Sequence, residues 1–152
     1  MKGIGYPITN RPNGTMFLDE NQLNLVSGVS TKVLIDHIVG NFIDGIEDTG
    51  NNEITPLVAG FYLCIAQVTF TEVVADKLYE LKMEGGPRTM WDRKHSRTTD
   101  DLTLRCVEVM YIQADEHLHM AAVQNSGANT VDILGSVADT PGYTQLTMQR
   151  IR

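Results

Sequence analysis

Residues 59–70 form the run Ala-Gly-Phe-Tyr-Leu-Cys-Ile-Ala-Gln-Val-Thr-Phe, which is the most strongly patterned stretch of the sequence. Its length, its β-branched and aromatic residues and the turn-rich residues 50–56 before it favour a strand over a helix. Side chains alternate across a strand. One face therefore carries Tyr62, Cys64, Ala66 and Val68. The opposite face carries Phe61, Leu63, Ile65 and Gln67. Both faces are predominantly apolar.

This two-sided apolarity requires a cover on each side of the strand. An antiparallel strand with one wet face alternates between apolar and polar residues, and this run does not. No other run indicates a covering helix, so we expect the second cover to be the same sheet of another copy of the chain. The protein is then an obligate oligomer. A helix or a long loop of the same chain over the strand is the alternative.

Size and charge limit the possible functions. At 152 residues the chain fits one domain with a single core. Twelve basic and nineteen acidic residues give a net charge of -7, which opposes binding to the phosphate backbone of nucleic acids. A local basic cluster comprises Arg88, Arg93, Lys94 and Arg97. Because glycine, proline and threonine accompany it, we expect a solvated loop tip there.

The cysteines and the N-terminal sequence indicate a reducing compartment. Only Cys64 and Cys106 are present, each in an apolar run, so we expect buried, reduced thiols rather than a disulfide scaffold or a zinc site. The N-terminus has no secretory-signal pattern, and no apolar run is long enough to span a bilayer. These features predict synthesis in a cytoplasm and no membrane partner.

The pattern along the chain changes at about residue 24. Residues 1–24 contain frequent proline and glycine with scattered hydrophobes, which predicts an N-terminal arm that is either unstructured or ordered against a partner. Residues 25–152 contain short apolar runs between turn signals, which is typical of an all-β sandwich or barrel. A helical turn is an alternative for residues 73–81. The predicted strands are 32–39, 59–70, 77–83, 102–109, 117–124, 130–134 and 143–151.

The strand at residues 60–70 resembles the Gly-x-Tyr-x-x-x-x-Gln-Val-x-Phe strand of the tumour-necrosis-factor-like jelly rolls. That family includes the globular heads of complement-type collagenous proteins. Residues 78–86 resemble the family's strand that ends in a glycine turn, and residues 111–120 resemble the strand after its Gly-Asp turn. The sequence departs from the family at that turn, where it has Asp115 and Glu116.

The resemblance covers about residues 25–152 and implies an antiparallel β-sandwich of jelly-roll type that forms a homotrimer through one sheet. Closed threefold symmetry would consume the exposed apolar surface, and obligate interfaces of this kind resemble a protein core. The interface residues that it implies are Phe61, Leu63, Ile65, Gln67, His119 and Tyr143.

The pair His117 and His119 has the spacing that begins the metal site of cupin jelly rolls. A cupin site also needs an acidic ligand about four residues later and a histidine in a later strand, and the sequence offers neither. In a trimer the imidazoles of three copies could instead converge on the axis. The sequence contains no nucleophile elbow, phosphate loop or dinucleotide fingerprint. We therefore expect no enzyme activity, no metal and no cofactor.

Within the resemblance, similar folds occur as capsid-decorating proteins and fibre tips of bacteriophages. The lack of a secretory signal, a collagen stalk and a membrane anchor in the sequence favours such a structural protein of a virus particle. We expect a bacteriophage capsid decoration protein, made in the host cytoplasm, that binds the major capsid protein at the capsid surface as a homotrimer. The arm residues Tyr6, Arg11 and Phe17 are expected to contact the partner. Trp91 is expected either to join them as a contact hot spot or to plug the end of the barrel.

Two other functions remain as alternatives. The first is the receptor-binding head of a tail or head fibre, which would contact a host-cell receptor through loops. The second is a cupin-like metalloenzyme, which would bind metal stoichiometrically.

Overall fold

The computed structural model describes residues 13–39, 45–127, 130–135 and 143–151. This part of the chain contains β-strands and no helix, so the predicted all-β class is confirmed. In chain order the strands are β1 (Asn13–Phe17), β2 (Thr31–Lys32), β3 (His37–Val39), β4 (Gly45–Asp48), β5 (Glu53–Pro56), β6 (Gly60–Thr71), β7 (Leu78–Gly85), β8 (Arg88–His95), β9 (Leu102–Ile112), β10 (Leu118–Gln124), β11 (Asp132–Ile133) and β12 (Gln145–Arg150).

The strands form two antiparallel sheets. In the first sheet β9, β6, β12, β1 and β3 lie side by side, and the short β11 pairs with the end of β6 beyond β12. In the second sheet the order is β4, β5, β10, β7 and β8, with β2 also paired to β10. The hydrophobic core lies between the sheets. The predicted antiparallel sandwich is therefore confirmed.

The two faces of β6 differ in burial as the sequence predicts. The inward face is fully buried and comprises Tyr62, Cys64, Ala66 and Val68. On the outward face Phe61 is 50% exposed. The other outward residues, Leu63, Ile65 and Gln67, are partly buried. The pleat of the strand produces this alternation, so one strand contributes both to the core and to the outer surface.

The N-terminal boundary predicted at residue 24 is wrong for the described residues. β1 lies inside the first sheet, paired with β12 on one side and with β3 on the other. Met16 and Phe17 are fully buried. The strand was missed because it has only five residues and begins with Asn13 and Gly14, which are both rare in strands.

The segment predicted as one strand at residues 32–39 is two short strands in different sheets. β2 pairs with β10 in the second sheet, and β3 pairs with β1 in the first. Val33 and Ile35 are fully buried where the chain crosses between the sheets. Val33 and Ile35 are two residues apart, as inward side chains of one strand would be, but both enter the core from the segment that crosses between the sheets. The short strands β4 and β5 were also missed.

Residues 88–95 form β8 and are not the predicted loop tip. β7 and β8 make a hairpin whose tight turn contains Gly86 at φ +55°. The alternative helical turn at residues 73–81 is also absent, since β7 begins at Leu78. β8 lies at the edge of the second sheet with mostly exposed side chains. Charged side chains are common on edge strands because they discourage pairing with other chains. The basic residues of β8 were therefore interpreted as a loop although they belong to an edge strand.

The turn that departs from the family pattern keeps a left-handed residue without glycine. Asp115 has φ +64°. Its N–H donates to the carbonyl oxygen of Pro56 at 2.9 Å, and the carboxylate of Glu116 accepts the N–H of Gln113 at 2.8 Å. Aspartate visits this region more readily than most residues, so the turn forms with a side chain in place of glycine.

Burial of β1 can be tested by truncating Met16. We expect Met16→Ala to lower the free energy of unfolding by about 2 to 5 kcal/mol, because it leaves a cavity in a fully buried site. The matched control is Leu23→Ala, at a residue that is 61% exposed in the same segment. Urea unfolding at one fixed protein concentration measures both variants. Equal, small effects would show that residues 13–18 do not pack in the core.

Candidate functional site

An apolar patch covers the outer surface of the first sheet where β6 and β9 pair. Three directly opposed pairs form it, and we call them together the Phe61 face: Phe61 with Tyr111, Leu63 with Val109, and Ile65 with Val107. The rings of Phe61 and Tyr111 meet edge to face with 5.3 Å between centroids. Four of the six side chains are exposed by 43 to 52%, namely Phe61, Val107, Val109 and Tyr111.

Polar residues border the Phe61 face. Gln67 lies opposite Arg105 at the next outward position on the pair of strands. On the neighbouring strand β12, the outward positions beside Ile65 and Leu63 are Thr147 and Gln149. A compact apolar centre with a polar border is the usual composition of a protein interface.

No segment among the described residues covers the Phe61 face. Most side chains on the opposite face of the same strands are buried in the core, so rotation of the strands cannot bury the Phe61 face. Six clustered apolar side chains in water form the kind of patch that marks an interaction site in folded proteins. The alternative cover, a helix or loop of the same chain, is not seen in the part of the chain that the structure describes.

The structure brings together four of the six residues predicted for the interface, Phe61, Leu63, Ile65 and Gln67. Tyr143 lies near them, since its carbonyl oxygen accepts hydrogen bonds from Gln67 Nε2 at 3.2 Å and from Thr69 Oγ1 at 3.0 Å. Its side chain is 47% exposed.

His119 does not lie beside the Phe61 face. It lies on β10 in the second sheet, where its Nε2 is 2.8 Å from Glu84 Oε2. The sequence alone could not show that 117–124 and 59–70 enter different sheets, because both runs are apolar on both faces.

The predicted partner-binding residues have separate positions. Phe17 is fully buried and its ring packs against His37, with 4.8 Å between ring centroids, so it is a core residue and not a contact residue. Trp91 is 41% exposed on β8, away from the core, so it does not plug the sandwich. Tyr6 and Arg11 lie outside the described residues.

Three residues of the Phe61 face were missed by the sequence analysis, and all are on β9: Val107, Val109 and Tyr111. The signal was present, because residues 106–112 are apolar at six of seven positions and therefore on both faces, as in 59–70. The same argument that assigned an outer apolar face to β6 would have assigned one to β9.

Both members of the histidine pair lie beside carboxylates. His117 Nδ1 lies 3.0 Å from Glu53 Oε1 and 2.9 Å from Thr55 Oγ1. Glu53 also binds Lys32 Nζ at 3.2 Å. Among the described residues, no three side chains of histidine, cysteine, aspartate or glutamate are grouped to hold a metal ion.

Both thiols are buried and lack the environment of a reactive cysteine. Desolvation by burial raises the pKa of Cys64 to about 12, with a further contribution from the charge of Glu108. Burial raises the pKa of Cys106 to about 11, and the charge of Asp92 acts in the same direction. A thiol with a raised pKa is a poor nucleophile near neutral pH.

No helix in the described ranges has the length and apolarity needed to cross a membrane.

Comparison with known proteins places the fold. No protein-family model matches the chain, and none of the curated proteins has a matching sequence. The Eiger tumour necrosis factor of S. frugiperda is similar with a TM-score of 0.66 at 9% identity, over 93% of this chain and 93% of that chain. The globular domain of the zebrafish complement 1qA protein has a TM-score of 0.64 at 10% identity, over 93% and 98%.

These similarities confirm the predicted fold, which is a jelly roll of the type found in tumour necrosis factors and complement globular domains. At 9 and 10% identity they concern the fold alone.

Glu47, a partly buried residue on β4, has a raised pKa that can be tested. Its Oε1 is buried without a hydrogen-bond partner among the described residues. Desolvation raises the pKa of Glu47 from 4.5 to about 7, although the N–H of Thr15 partly opposes this. Because the folded state holds this proton more tightly, the stability that it contributes is full below pH 4.5 and is lost as the pH rises through about 7.

We therefore expect Glu47→Gln to be more resistant to urea than the parent chain at pH 8, with the difference shrinking at pH 5. The amide does not titrate, so the variant lacks this one contribution to the pH dependence. Glu20→Gln, at an exposed position, is the control and should follow the parent at both pH values. Parallel pH profiles for Glu47→Gln and the parent would contradict the raised pKa.

Proposed function

We propose that this chain is a non-enzymatic structural protein that forms a homotrimer through the Phe61 face and serves as a capsid decoration protein on a virus particle. The observation that supports assembly is the uncovered apolar patch on β6 and β9, with four side chains exposed by 43 to 52%. Removing such side chains from water is worth about 25 cal/mol per Å² of apolar surface. A second copy of the same face is the partner that the chain itself supplies.

Threefold packing suits this face because a closed ring satisfies every copy. In a ring each copy presents one surface to the next, and the last contact closes the assembly without leaving a free apolar patch. The patch lies near the edge of the first sheet that β9 forms. This location favours a ring, because three copies can each turn the β9 edge toward one common axis.

Decoration of a capsid is consistent with the rest of the molecule. The acidic net charge of -7 opposes binding to nucleic acid, so a protein shell is the better partner than the genome inside it. A trimer presents three identical attachment surfaces, and simultaneous contact by three surfaces raises the apparent affinity without a large contact per copy. The receptor-binding head of a fibre is the second candidate, and the exposed Trp91 on the sheet opposite the Phe61 face is the observation that favours it.

Charge substitution in the Phe61 face tests the assembly. We expect Ile65→Glu and Val107→Glu each to convert the trimer into monomers in size-exclusion chromatography. An unpaired carboxylate in a desolvated interface costs several kcal/mol, which lowers association by more than about a hundredfold. Val107 is 52% exposed in the single chain, so its variant should still fold even where Ile65→Glu does not.

Ile46→Glu is the matched control, because Ile46 is 51% exposed on β4 in the other sheet. It should remain trimeric. Unchanged assembly in Val107→Glu, or equal disruption by Ile46→Glu, would overturn the assignment of the interface.

The role on a virus particle is tested by counting copies. We expect quantitative mass spectrometry of purified particles to find this chain at a copy number comparable to that of the major capsid protein. A copy number of only a few per particle would favour the fibre head. Absence of the chain from purified particles would contradict both roles.

A further inference from the structure

A cluster of charged residues around Trp91 lies on the outer surface of the second sheet. Lys82 lies directly opposite Trp91 on β7, and its Nζ is 4.4 Å from the centre of the indole ring. Cζ of Arg93, two residues along β8, is 4.3 Å from the same centre. Glu80 lies opposite Arg93. We call these four residues the Trp91 cluster.

The positive charge of the Trp91 cluster is only partly neutralised. Glu80 Oε2 lies 3.5 Å from Arg93 Nε, which leaves the terminal nitrogens of the guanidinium available. The Arg93 side chain is 54% exposed. Lys82 Nζ donates to Ser30 Oγ at 3.1 Å and has no carboxylate partner among the described residues. Two cations therefore face one carboxylate on an otherwise acidic protein.

The ring and its two cations hold one another in place. Each cation lies within about 6 Å of the ring centre, where the ring quadrupole attracts it. An arginine whose position is fixed by stacking loses less side-chain entropy when it forms a bidentate bond with a carboxylate. The cluster therefore presents preorganised donors on the outer surface of the second sheet.

We infer that the Trp91 cluster binds an acidic segment of a partner protein, with a carboxylate on Arg93 and a second on Lys82. Tryptophan and arginine are the residues most enriched among energetic hot spots of protein interfaces. Nucleic-acid bases and sugars need an open ring face on which to stack, and here two cations already contact the ring. At physiological salt charges interact over about 8 Å, so the local cations outweigh the net charge of the chain.

The surface remains available in the proposed assembly. β7 and β8 belong to the second sheet, whereas the Phe61 face lies on the outer side of the first. Covering the Phe61 face therefore leaves three Trp91 clusters exposed on each trimer. The binding chemistry of the Trp91 cluster does not depend on the proposed function. If the acidic segment belongs to a capsid subunit, that assignment alone rests on the proposed function.

Trp91 provides its own readout because it is the only tryptophan in the chain. The probe is poly-L-glutamate, added to the purified protein while tryptophan emission is recorded, with anisotropy of the labelled polymer as an independent measure of binding. We expect a saturable change in emission. Lys82→Gln and Arg93→Gln should each weaken binding about two- to fivefold, the upper part of the range for exposed charge pairs.

Lys77→Gln is the matched control, since it removes one positive charge from an exposed position outside the cluster. It should bind like the parent. Equal weakening by Lys77→Gln, or no emission change with poly-L-glutamate, would overturn the inference. Binding to heparin without binding to poly-L-glutamate would also overturn it, because a sulfated polysaccharide would then be the ligand.

The Val107→Glu variant separates this inference from the proposed trimer. As a folded monomer it should still change its Trp91 emission on addition of poly-L-glutamate. Retained emission response with a monomeric parent chain would refute the trimer alone. A trimeric parent chain without the response would refute the acidic-segment site alone.

Discussion

The proposed assembly depends on the outward side chains of β6 and β9, which are apolar and lie on the surface of the first sheet. The inward side chains of both strands form the core, so the strands cannot rotate, and Phe61, Ile65 and Val107 must stay on the surface. In the part of the chain that the structure describes, folding therefore leaves an apolar patch uncovered, which is the kind of surface that marks an interaction site. Gln67, Arg105 and Thr147 form a polar border beside the patch.

The jelly roll separates two surfaces with different chemistry. The first sheet presents the apolar Phe61 face, and the second presents polar and charged residues that include Glu84, His119 and the Trp91 cluster. Side chains also close the seam between the sheets: Asp92 on β8 accepts the N–H of Arg105 on β9 at 2.8 Å. Because the surfaces lie on opposite sides of the core, association through one does not block the other.

The sequence predicted those parts of the fold that burial determines. The two-sided apolarity of 59–70 predicted one β6 face toward the core and a second apolar face outward, because successive side chains of a strand point to opposite faces. β1 is short and β8 is polar, so neither has a clear apolar periodicity. Their turn-forming and basic residues were therefore interpreted as an arm and a loop tip. The placement of His119 required knowledge of which strands pair, and pairing between distant segments leaves no local signal in one sequence. The β9 half of the Phe61 face was predictable from the two-sided apolarity of 106–112.

Hydroxyl-radical footprinting of the unmodified protein tests most directly whether a neighbouring molecule covers the Phe61 face. Phe61 and Tyr111 are 50% and 48% exposed in the single chain, close to the 41% of Trp91 on the other sheet. After correction for the intrinsic reactivity of each ring, coverage by a neighbouring molecule predicts that Phe61 and Tyr111 are oxidised far more slowly than Trp91 at micromolar protein concentration. Oxidation of all three in proportion to these exposures would contradict it.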